Sequence, residues 1–202
     1  NAELADICAE RGIKFIGPSA EVIRRMGDKT EARRSMIAAG VPVTPGTEGN
    51  VADIAEALSE GDRIGYPVML KATNGGGGRG IRRCNSREEL EQNFPRVISE
   101  ATKAFGRADV FLEKCIVNPK HIEAQILGDS FGNVVHLFER DCSIQRRNQK
   151  LIEIAPSPQL TPEQRAYIGD LSVRAAKAVG YENAGTVEFL LAEGEVYFME
   201  MN

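Results

Sequence analysis

The chain has 202 residues, of which 42% are hydrophobic and 27% charged, as expected for a globular protein of one large or two small domains. Its net charge of −4 argues against a nucleic-acid-binding protein, and no apolar run reaches the ~18 residues of a membrane span. Four scattered cysteines without a CxxC pair, together with only two histidines, do not form a zinc motif. We therefore expect a soluble chain with reduced thiols. It begins with Asn rather than Met, which suggests a fragment.

The first elements are typical of the end of an α/β domain. Helical spacing over residues 2–11 is followed by Gly12 and a short predicted strand at 14–16. Two further helices are predicted over residues 20–26 and 29–39, and the Pro/Gly-rich segment 41–46 is the first candidate domain boundary. A helix over about 51–58 and a strand over 67–72 are predicted next.

A glycine-rich loop, residues 73–80, lies between that strand and another predicted at 81–84. Its backbone N–H groups could close over an anion, and Lys71 just before it could neutralise a nucleotide phosphate. The loop is neither a Walker A motif nor a dinucleotide fingerprint, because no Gly-Lys-Ser/Thr follows and the next element is a strand. The alternatives are a plain mobile loop and a surface lysine.

The second half alternates helices with hairpins. Ser86 and Glu89 form a capping box that opens a helix, which Pro95 should interrupt or restart. Thr161 begins another helix, which Gly180 ends. Strands are predicted over residues 110–116, 121–127 and 134–138. Because hairpins rather than βαβ crossovers connect these strands, the predicted fold class is α+β.

The last segment, residues 186–202, predicts a hairpin with an acid in each strand. A three-residue loop at 193–195 would pair Glu188 directly with Glu200, whereas a two-residue loop would place them on opposite faces. Facing carboxylates repel unless a cation lies between them, and Asn202 adds another oxygen on the same face. Oxygen-only ligands suit Mg²⁺ or Mn²⁺. The alternative is two acids at a sheet edge facing water.

A polar segment, residues 139–150, carries several cations and amides that could clamp a polyanion or orient a carboxylate. Taken alone, such a run is more typical of a solvated face. His121 and Lys29 likewise have ordinary structural explanations. These three features gain meaning only in combination with the others.

Together these segments resemble the biotin carboxylase component of biotin-dependent carboxylases, a branch of the ATP-grasp ligases. The resemblance runs nearly end to end, and its most specific stretch is Arg-Asp-Cys-Ser-Ile-Gln-Arg-Arg at 140–147. Other matching stretches are Ile-Gly-Pro-Ser at 16–19, Met-Gly-Asp-Lys at 26–29, Val-Met-Leu-Lys-Ala at 68–72, the loop 75–80, Glu-Lys at 113–114, Lys-His-Ile-Glu at 120–123, Glu153 with Ala-Pro at 155–156, Ala-Gly-Thr-Val-Glu-Phe at 184–189 and Phe-Met-Glu-Met-Asn at 198–202.

The resemblance implies an ATP-grasp fold, with two α/β subdomains and the nucleotide between them. Residues 1–27 would be the tail of a pre-ATP-grasp α/β domain, and residues 28–202 the ATP-grasp domain, truncated at its C-terminus. Within that domain, the lid subdomain would cover about 43–115 and the central sheet 116–202.

The resemblance also assigns nucleotide-binding residues. Lys29 and Lys71 would contact the phosphates, under a flap made by the glycine loop. The flap glycines would be Gly76, Gly77, Gly78 and Gly80. Glu113, Lys114 and Ile116 would line the adenine pocket, largely through backbone groups. The remaining nucleotide contacts would come from His121, Gln145, Glu188, Leu190 and Glu200, with the first two near the ribose and phosphates.

The implied metal ligands are Glu188, Glu200 and Asn202, which would hold the Mg²⁺ or Mn²⁺ ions that bridge the nucleotide. Lys150 would lie near the reacting bicarbonate, and Gln145 would join it as a catalytic residue. The family chemistry is ATP-driven conversion of bicarbonate to carboxyphosphate, followed by carboxylation of biotin. It requires charge neutralisation of the transferring phosphoryl group and exclusion of water.

The expected partners are ATP, bicarbonate, a biotin carboxyl carrier protein or domain, and a carboxyltransferase, as in fatty acid biosynthesis, with a homodimer of the full-length protein also expected. The expected location is the cytoplasm, or the mitochondrial matrix in a eukaryote, without nucleic-acid or membrane contacts. Rival interpretations are another ATP-grasp ligase, such as carbamoyl-phosphate synthetase, and a non-catalytic nucleotide-binding module.

Two features depart from the family pattern. Asn148 stands where a histidine is common, and an asparagine cannot carry a titrating charge. The sequence also stops at Asn202, before the Thr-Arg-x-Gln-Val-Glu-His stretch that supplies the bicarbonate-binding arginine and general base. We therefore expect that this chain alone cannot turn over.

Overall fold

The computed structural model describes residues 1–73, 80–106, 109–147 and 149–202, which fall into two compact units. The first unit contains residues 1–27, 31–43 and 117–202, and the second contains residues 28–30 and 44–116. Each unit has its own buried hydrophobic core and its own sheet.

The helices are α1 (Ala2–Glu10), α2 (Ala20–Gly27), α3 (Lys29–Ala38), α4 (Ile54–Ile64), α5 (Arg87–Phe105) and α6 (Pro162–Val179). The strands are β1 (Val68–Ala72), β2 (Ile81–Cys84), β3 (Val110–Lys114), β4 (Lys120–Gly128), β5 (Val134–Arg146), β6 (Gln149–Ile154), β7 (Asn183–Ala192) and β8 (Glu195–Met201). Throughout the described residues, no helix is both long and apolar enough to cross a membrane.

The second unit is built on a three-stranded antiparallel sheet in the order β2-β1-β3. Alternate residues of β1, Val68, Leu70 and Ala72, are buried, and α4 and α5 contact this sheet. The prediction that Pro95 interrupts the helix after Ser86 was wrong, because α5 runs unbroken from residue 87 to 105. A proline removes one backbone donor, and here the burial of an apolar face along the helix outweighs that loss.

The first unit contains a five-stranded sheet in the order β6-β5-β4-β7-β8, with antiparallel pairing between all neighbours. Helix α6 packs against β4 and β5 through Ile168, Leu171 and Ala175. It begins with the predicted capping box, in which Thr161 and Gln164 bond each other's backbone N–H groups. The antiparallel sheet and separate helices confirm the predicted α+β class.

The short strand predicted over residues 14–16 was wrong. Within the described part of the chain this segment is irregular and Ile16 is 82% exposed. Among the described residues its backbone joins no ladder; instead the Asn183 side-chain amide donates to the Phe15 carbonyl at 3.4 Å and, just after the segment, to the Gly17 carbonyl at 2.7 Å. An apolar triplet makes a strand only where a neighbouring strand can share its hydrogen bonds.

The C-terminal hairpin pairs Glu188 with Glu200, although by a different route from the one expected. The loop contains two residues, Glu193 and Gly194, which both have positive φ (53° and 85°). Glu188 pairs with Glu200 but the next residue, Phe189, pairs with Phe198, so Met199 is one extra residue on β8. This β-bulge restores the pairing that a two-residue loop would otherwise have lost. The expectation that a two-residue loop separates the acids was therefore wrong.

Candidate functional site

One row of charged residues crosses four neighbouring strands of the five-stranded sheet. Arg140 on β5 pairs with Glu123 on β4, Glu123 pairs with Glu188 on β7, and Glu188 pairs with Glu200 on β8. Directly paired residues project to the same face of a sheet. The row lies opposite the face that packs on α6, because Ile122 and Val187, the chain neighbours of Glu123 and Glu188, are in the core. Three carboxylates thus share one face.

Glu188 is at the centre of this row and only 3% exposed. Its Oε1 accepts hydrogen bonds from Lys150 Nζ at 2.7 Å and Asn202 Nδ2 at 2.9 Å. Its Oε2 lies 2.5 Å from Nε2 of His121. Each carboxylate oxygen has two lone pairs, so these contacts occupy those of Oε1 and leave one on Oε2.

Lys150 on β6 joins two strands of the row. Its Nζ lies 2.5 Å from Oε2 of Glu123 and 2.7 Å from Oε1 of Glu188. Burial alone would lower the pKa of Lys150, but the hydrogen bonds and charges of the two carboxylates outweigh burial and raise that pKa. Lys150 is therefore a fixed cation between two acids.

The same contacts keep Glu188 ionised. Burial alone would raise the pKa of Glu188, but hydrogen bonds from His121 and Lys150, together with the charges of both side chains, lower it to about 2. On the neighbouring strand, Arg140 forms an ion pair with Glu123 Oε1, and its Nε lies 3.0 Å from the same oxygen. Two cations therefore neutralise the two buried acids.

His121 is held from three sides. Its backbone N–H donates to Ser143 Oγ at 3.0 Å, and its Nε2 meets Glu188. Its Nδ1 lies 2.7 Å from Gln145 Nε2, which also donates to the Cys142 carbonyl at 2.9 Å. The structure thus brings together His121, Gln145, Lys150, Glu188 and Asn202, five of the residues predicted for the site.

The side-chain oxygens on this face fit a hard divalent cation. Glu188 Oε2 has one lone pair open for a cation. Asn202 donates to Glu188 through its side-chain Nδ2, which leaves its side-chain oxygen, Oδ1, available as a ligand. The Asn202 backbone is fixed by its ladder bonds to Thr186, both 2.9 Å long. Glu200, exposed and in register with Glu188, adds a second carboxylate. Such oxygen ligands suit Mg²⁺ or Mn²⁺.

A second group of ligand atoms lies nearby but does not fit a metal. Glu123, Cys142 and Glu153 have side-chain atoms within 4.8 Å of one another. Glu123 is already bonded to Arg140 and Lys150. Burial, with the charge of Glu123 adding to it, raises the pKa of the Cys142 thiol to about 11, so the thiolate that a metal requires is disfavoured.

The second unit carries most of the other predicted nucleotide residues. Lys71 on β1 forms an ion pair with Glu113 on β3. Lys114 donates through Nζ to the Gly65 carbonyl at 2.7 Å and the Tyr66 carbonyl at 3.1 Å, so its side chain holds the turn before β1. Lys29 is the first residue of α3, and Ile116 follows β3.

Only the end of the predicted glycine flap is described. Gly80 has φ +69°, and its carbonyl accepts from the Ala72 backbone N–H at 2.8 Å. This conformation favours glycine. The predictions for Gly76, Gly77 and Gly78, and the departure at Asn148, lie outside the described residues.

The sequence interpretation gave no role to Glu123 or Arg140. Glu123 could have been found by counting along its strand, because it is two residues after His121 and alternation places these side chains on one face. Arg140 could be placed only once β5 was known to pair with β4. Leu190, which was predicted, lies in register with His121 and two residues after Glu188.

Comparisons with known proteins agree with this arrangement. The sequence family described as carbamoyl-phosphate synthase L chain, ATP binding domain, matches residues 28–202. The 2-oxoglutarate carboxylase small subunit of Hydrogenobacter thermophilus is 59% identical over 203 residues, covering 100% of this chain and 43% of that protein. Mitochondrial pyruvate carboxylase of Homo sapiens is 55% identical over 202 residues, covering 100% of this chain and 17% of that protein.

A solved structure gives the same result. The crystal structure of the Hydrogenobacter thermophilus 2-oxoglutarate carboxylase biotin carboxylase domain dimer, in complex with MgADP, ADP and bicarbonate, has a TM-score of 0.91 and 59% identity. The similarity covers 100% of this chain and 45% of the crystallised chain. This chain therefore spans less than half the length of these relatives. The chain belongs to the carbamoyl-phosphate synthase L chain, ATP binding domain family, and is an α+β ATP-grasp domain of the biotin carboxylase type.

Proposed function

We propose that this chain binds MgATP for the carboxylation of biotin. The observation that carries the proposal is the row of three carboxylates in register, Glu123, Glu188 and Glu200, with Lys150 between two of them. A face this acidic, built around one half-buried lysine, suits a divalent cation together with anionic reactants.

In this proposal Glu188, Glu200 and Asn202 hold Mg²⁺ or Mn²⁺. The bound metal would neutralise charge on the nucleotide phosphates and on the phosphoryl group in transfer. Glu188 supplies the lone pair left on Oε2, and its low pKa keeps it ionised at neutral pH. Lys150 supplies a fixed positive charge, which would attract bicarbonate toward the γ-phosphate.

Residues of the second unit would bind the rest of the nucleotide. Lys71 and Lys29 would contact phosphates, and Glu113, Lys114 and Ile116 would border the adenine. The side chain of Lys114 is engaged by the Gly65 and Tyr66 carbonyls, so the proposal gives its ammonium group no phosphate contact. His121, Gln145 and Leu190 would contact the ribose or phosphates. We further propose the domain division given above, with residues 1–27 preceding an ATP-grasp domain and about 43–115 acting as the lid.

The wider reaction belongs to the longer protein that the relatives represent. We propose that carboxyphosphate formed from ATP and bicarbonate carboxylates biotin on a carrier protein, and that a carboxyltransferase passes the carboxyl group on. The relatives include a 2-oxoglutarate carboxylase and a pyruvate carboxylase, so several final acceptors fit, as do roles in or outside fatty acid biosynthesis. A homodimer is proposed because the similar crystal structure is described as a domain dimer. The proposed location is the cytoplasm, or mitochondria as in the human relative's name.

Two assays test this function. The chain alone should show no biotin-dependent ATP hydrolysis, because the bicarbonate-binding arginine and general base of the family are not in its sequence; measurable turnover would refute that. In the longer protein, ATP hydrolysis should depend on biotin and bicarbonate. Hydrolysis that depended on ammonia instead would support the rival carbamoyl-phosphate synthetase function.

A further inference from the structure

We propose that Gln145 is a positioning residue that acts through His121. Its side-chain amide holds the imidazole in the tautomer with the proton on Nε2, directed at Glu188. The importance of this contact for nucleotide binding rests on the proposed function. The tautomer itself follows from the hydrogen bonds that join the Cys142 carbonyl, the Gln145 amide, the His121 ring and the Glu188 carboxylate.

The first step fixes the orientation of the Gln145 amide. Its Nε2 lies 2.9 Å from the carbonyl oxygen of Cys142. A carbonyl oxygen can only accept a hydrogen bond, so the NH₂ group must face it. The reverse orientation would place two oxygen acceptors against each other. The Cys142 carbonyl therefore determines which end of the amide is the donor.

The second step fixes the proton on His121. The same Gln145 Nε2 is 2.7 Å from Nδ1 of His121, and an NH₂ group has two hydrogens to donate. Nδ1 must therefore be the unprotonated acceptor. The ring proton of the neutral imidazole is then on Nε2, which donates to Glu188 Oε2 at 2.5 Å.

The third step concerns the partner of Nε2. With Nδ1 as the acceptor, the Nε2 proton is directed at Glu188 Oε2, while Glu188 Oε1 accepts from Lys150 and Asn202. Gln145 therefore acts on the Glu188 carboxylate through the imidazole ring.

The surroundings leave the ring little freedom to avoid this arrangement. His121 is 9% exposed, and its backbone N–H donates to Ser143 Oγ at 3.0 Å. The Ser143 backbone N–H in turn donates to Asp141 Oδ1 at 2.9 Å. These bonds align β4 with the part of β5 that carries Gln145. A partner on a neighbouring strand thus determines the imidazole tautomer.

The experiment is ¹⁵N NMR of the histidine side chains in the chain without nucleotide. The sequence has only two histidines, and a His136→Gln variant assigns the signals. We expect His121 as a single tautomer, unprotonated at Nδ1. In Gln145→Met, which keeps the side-chain length but has no donor, His121 should become a tautomer mixture. In Gln145→Glu, the carboxylate accepts, so Nδ1 should become protonated while Nε2 keeps its proton toward Glu188.

The matched control is Gln164→Met, which removes an amide from the α6 capping box and should leave the His121 signals unchanged. A merely structural role for Gln145 would change the His121 signals of both variants alike, whereas the proposal expects a tautomer mixture in Gln145→Met and a fully protonated Nδ1 in Gln145→Glu. Wild-type His121 protonated at Nδ1, or unchanged signals in both Gln145 variants, would overturn the proposal.

A second readout separates this inference from the proposed function. Gln145→Met should weaken MgATP binding about 10-fold, as loss of a group that orients a metal ligand typically does. If the wild-type chain binds no MgATP, the proposed function fails while the tautomer result stands. If the wild type binds MgATP and both Gln145 variants keep one unprotonated Nδ1, only the positioning role fails.

Discussion

At the scale of single residues, Lys150 lies between carboxylates from two neighbouring strands, Glu123 and Glu188. Removing an ion from water costs several kcal/mol, and only a close partner of opposite charge offsets that cost. Both carboxylates are at most 5% exposed, so neither can be rehydrated easily. The stability of the three charges is therefore coupled.

We predict that Lys150→Met destabilises the chain by about 3 kcal/mol, because it leaves two buried carboxylates without their shared cation. The free energy of unfolding in urea measures the effect. The control is the double variant with Glu123→Gln, which removes one uncompensated charge and should lose less than the sum of the two single changes. Additive losses would show that the contacts do not act as a unit.

The pKa of Glu188 predicts how stability depends on pH. Its folded value of about 2 is below the ordinary 4.5, so this carboxylate stabilises the fold fully above pH 4.5 and loses that contribution as the pH falls toward 2. Glu188→Gln lacks the titrating group. Its deficit in unfolding free energy, relative to the wild type, should shrink on acidification through this window. A deficit independent of pH would contradict the assignment.

At the scale of elements, the site depends on strand register more than on loops. The bulge at Met199 keeps Glu188 and Glu200 paired across a two-residue turn, and antiparallel pairing with β4 adds Glu123 to the same row. A shift of one residue in any of these strands would move its acid toward the core side. The register of the sheet therefore determines the chemistry of the site.

The glycine at the end of β4 allows the backbone at Tyr181 to approach this strand closely. A Cβ on Gly128 would lie 2.3 Å from the Tyr181 carbonyl oxygen, which belongs to the backbone and has little room to move. We predict that Gly128→Ala costs about 1–3 kcal/mol of unfolding free energy, as overpacking usually does. The control is Gly27→Ala at the end of α2, where a Cβ meets no atom within 4 Å. Equal stabilities of the two variants would contradict the packing argument.

These elements show what the sequence could predict. Local signals were sufficient for α6, whose cap is a Thr-Gln box, and for the acids of the final hairpin. The bulge at Met199 could not be predicted, because the sequence of one strand does not determine how many residues of the neighbouring strand pair with it. The Pro95 error has the same origin, since burial from outside the helix outweighed a local preference. Glu123 could be predicted from side-chain alternation alone. Its pairing with Arg140 could be predicted only if β5 was known to lie beside β4.

At the scale of the whole molecule, the chain consists of two units, each with residues proposed for the nucleotide. The first unit has Glu188, Glu200 and Asn202 on one sheet, and the second has Lys71 and Glu113 on another. The cores of both units are made of their own residues. The central claim is that the acids of the first unit bind the metal that accompanies ATP.

Calorimetric titration of the chain with ATP, with and without Mg²⁺, tests this claim most directly. The test variant is Glu188→Gln/Glu200→Gln, and the matched control is Glu193→Gln/Glu195→Gln, which removes the same charge from the turn end of the same hairpin. A circular dichroism melt shows that each protein is folded. We predict that Mg²⁺-dependent binding is retained in the control and lost in the test variant. Equal ATP binding with and without Mg²⁺, or Mg²⁺-dependent binding that survives in a folded test variant, would contradict the account.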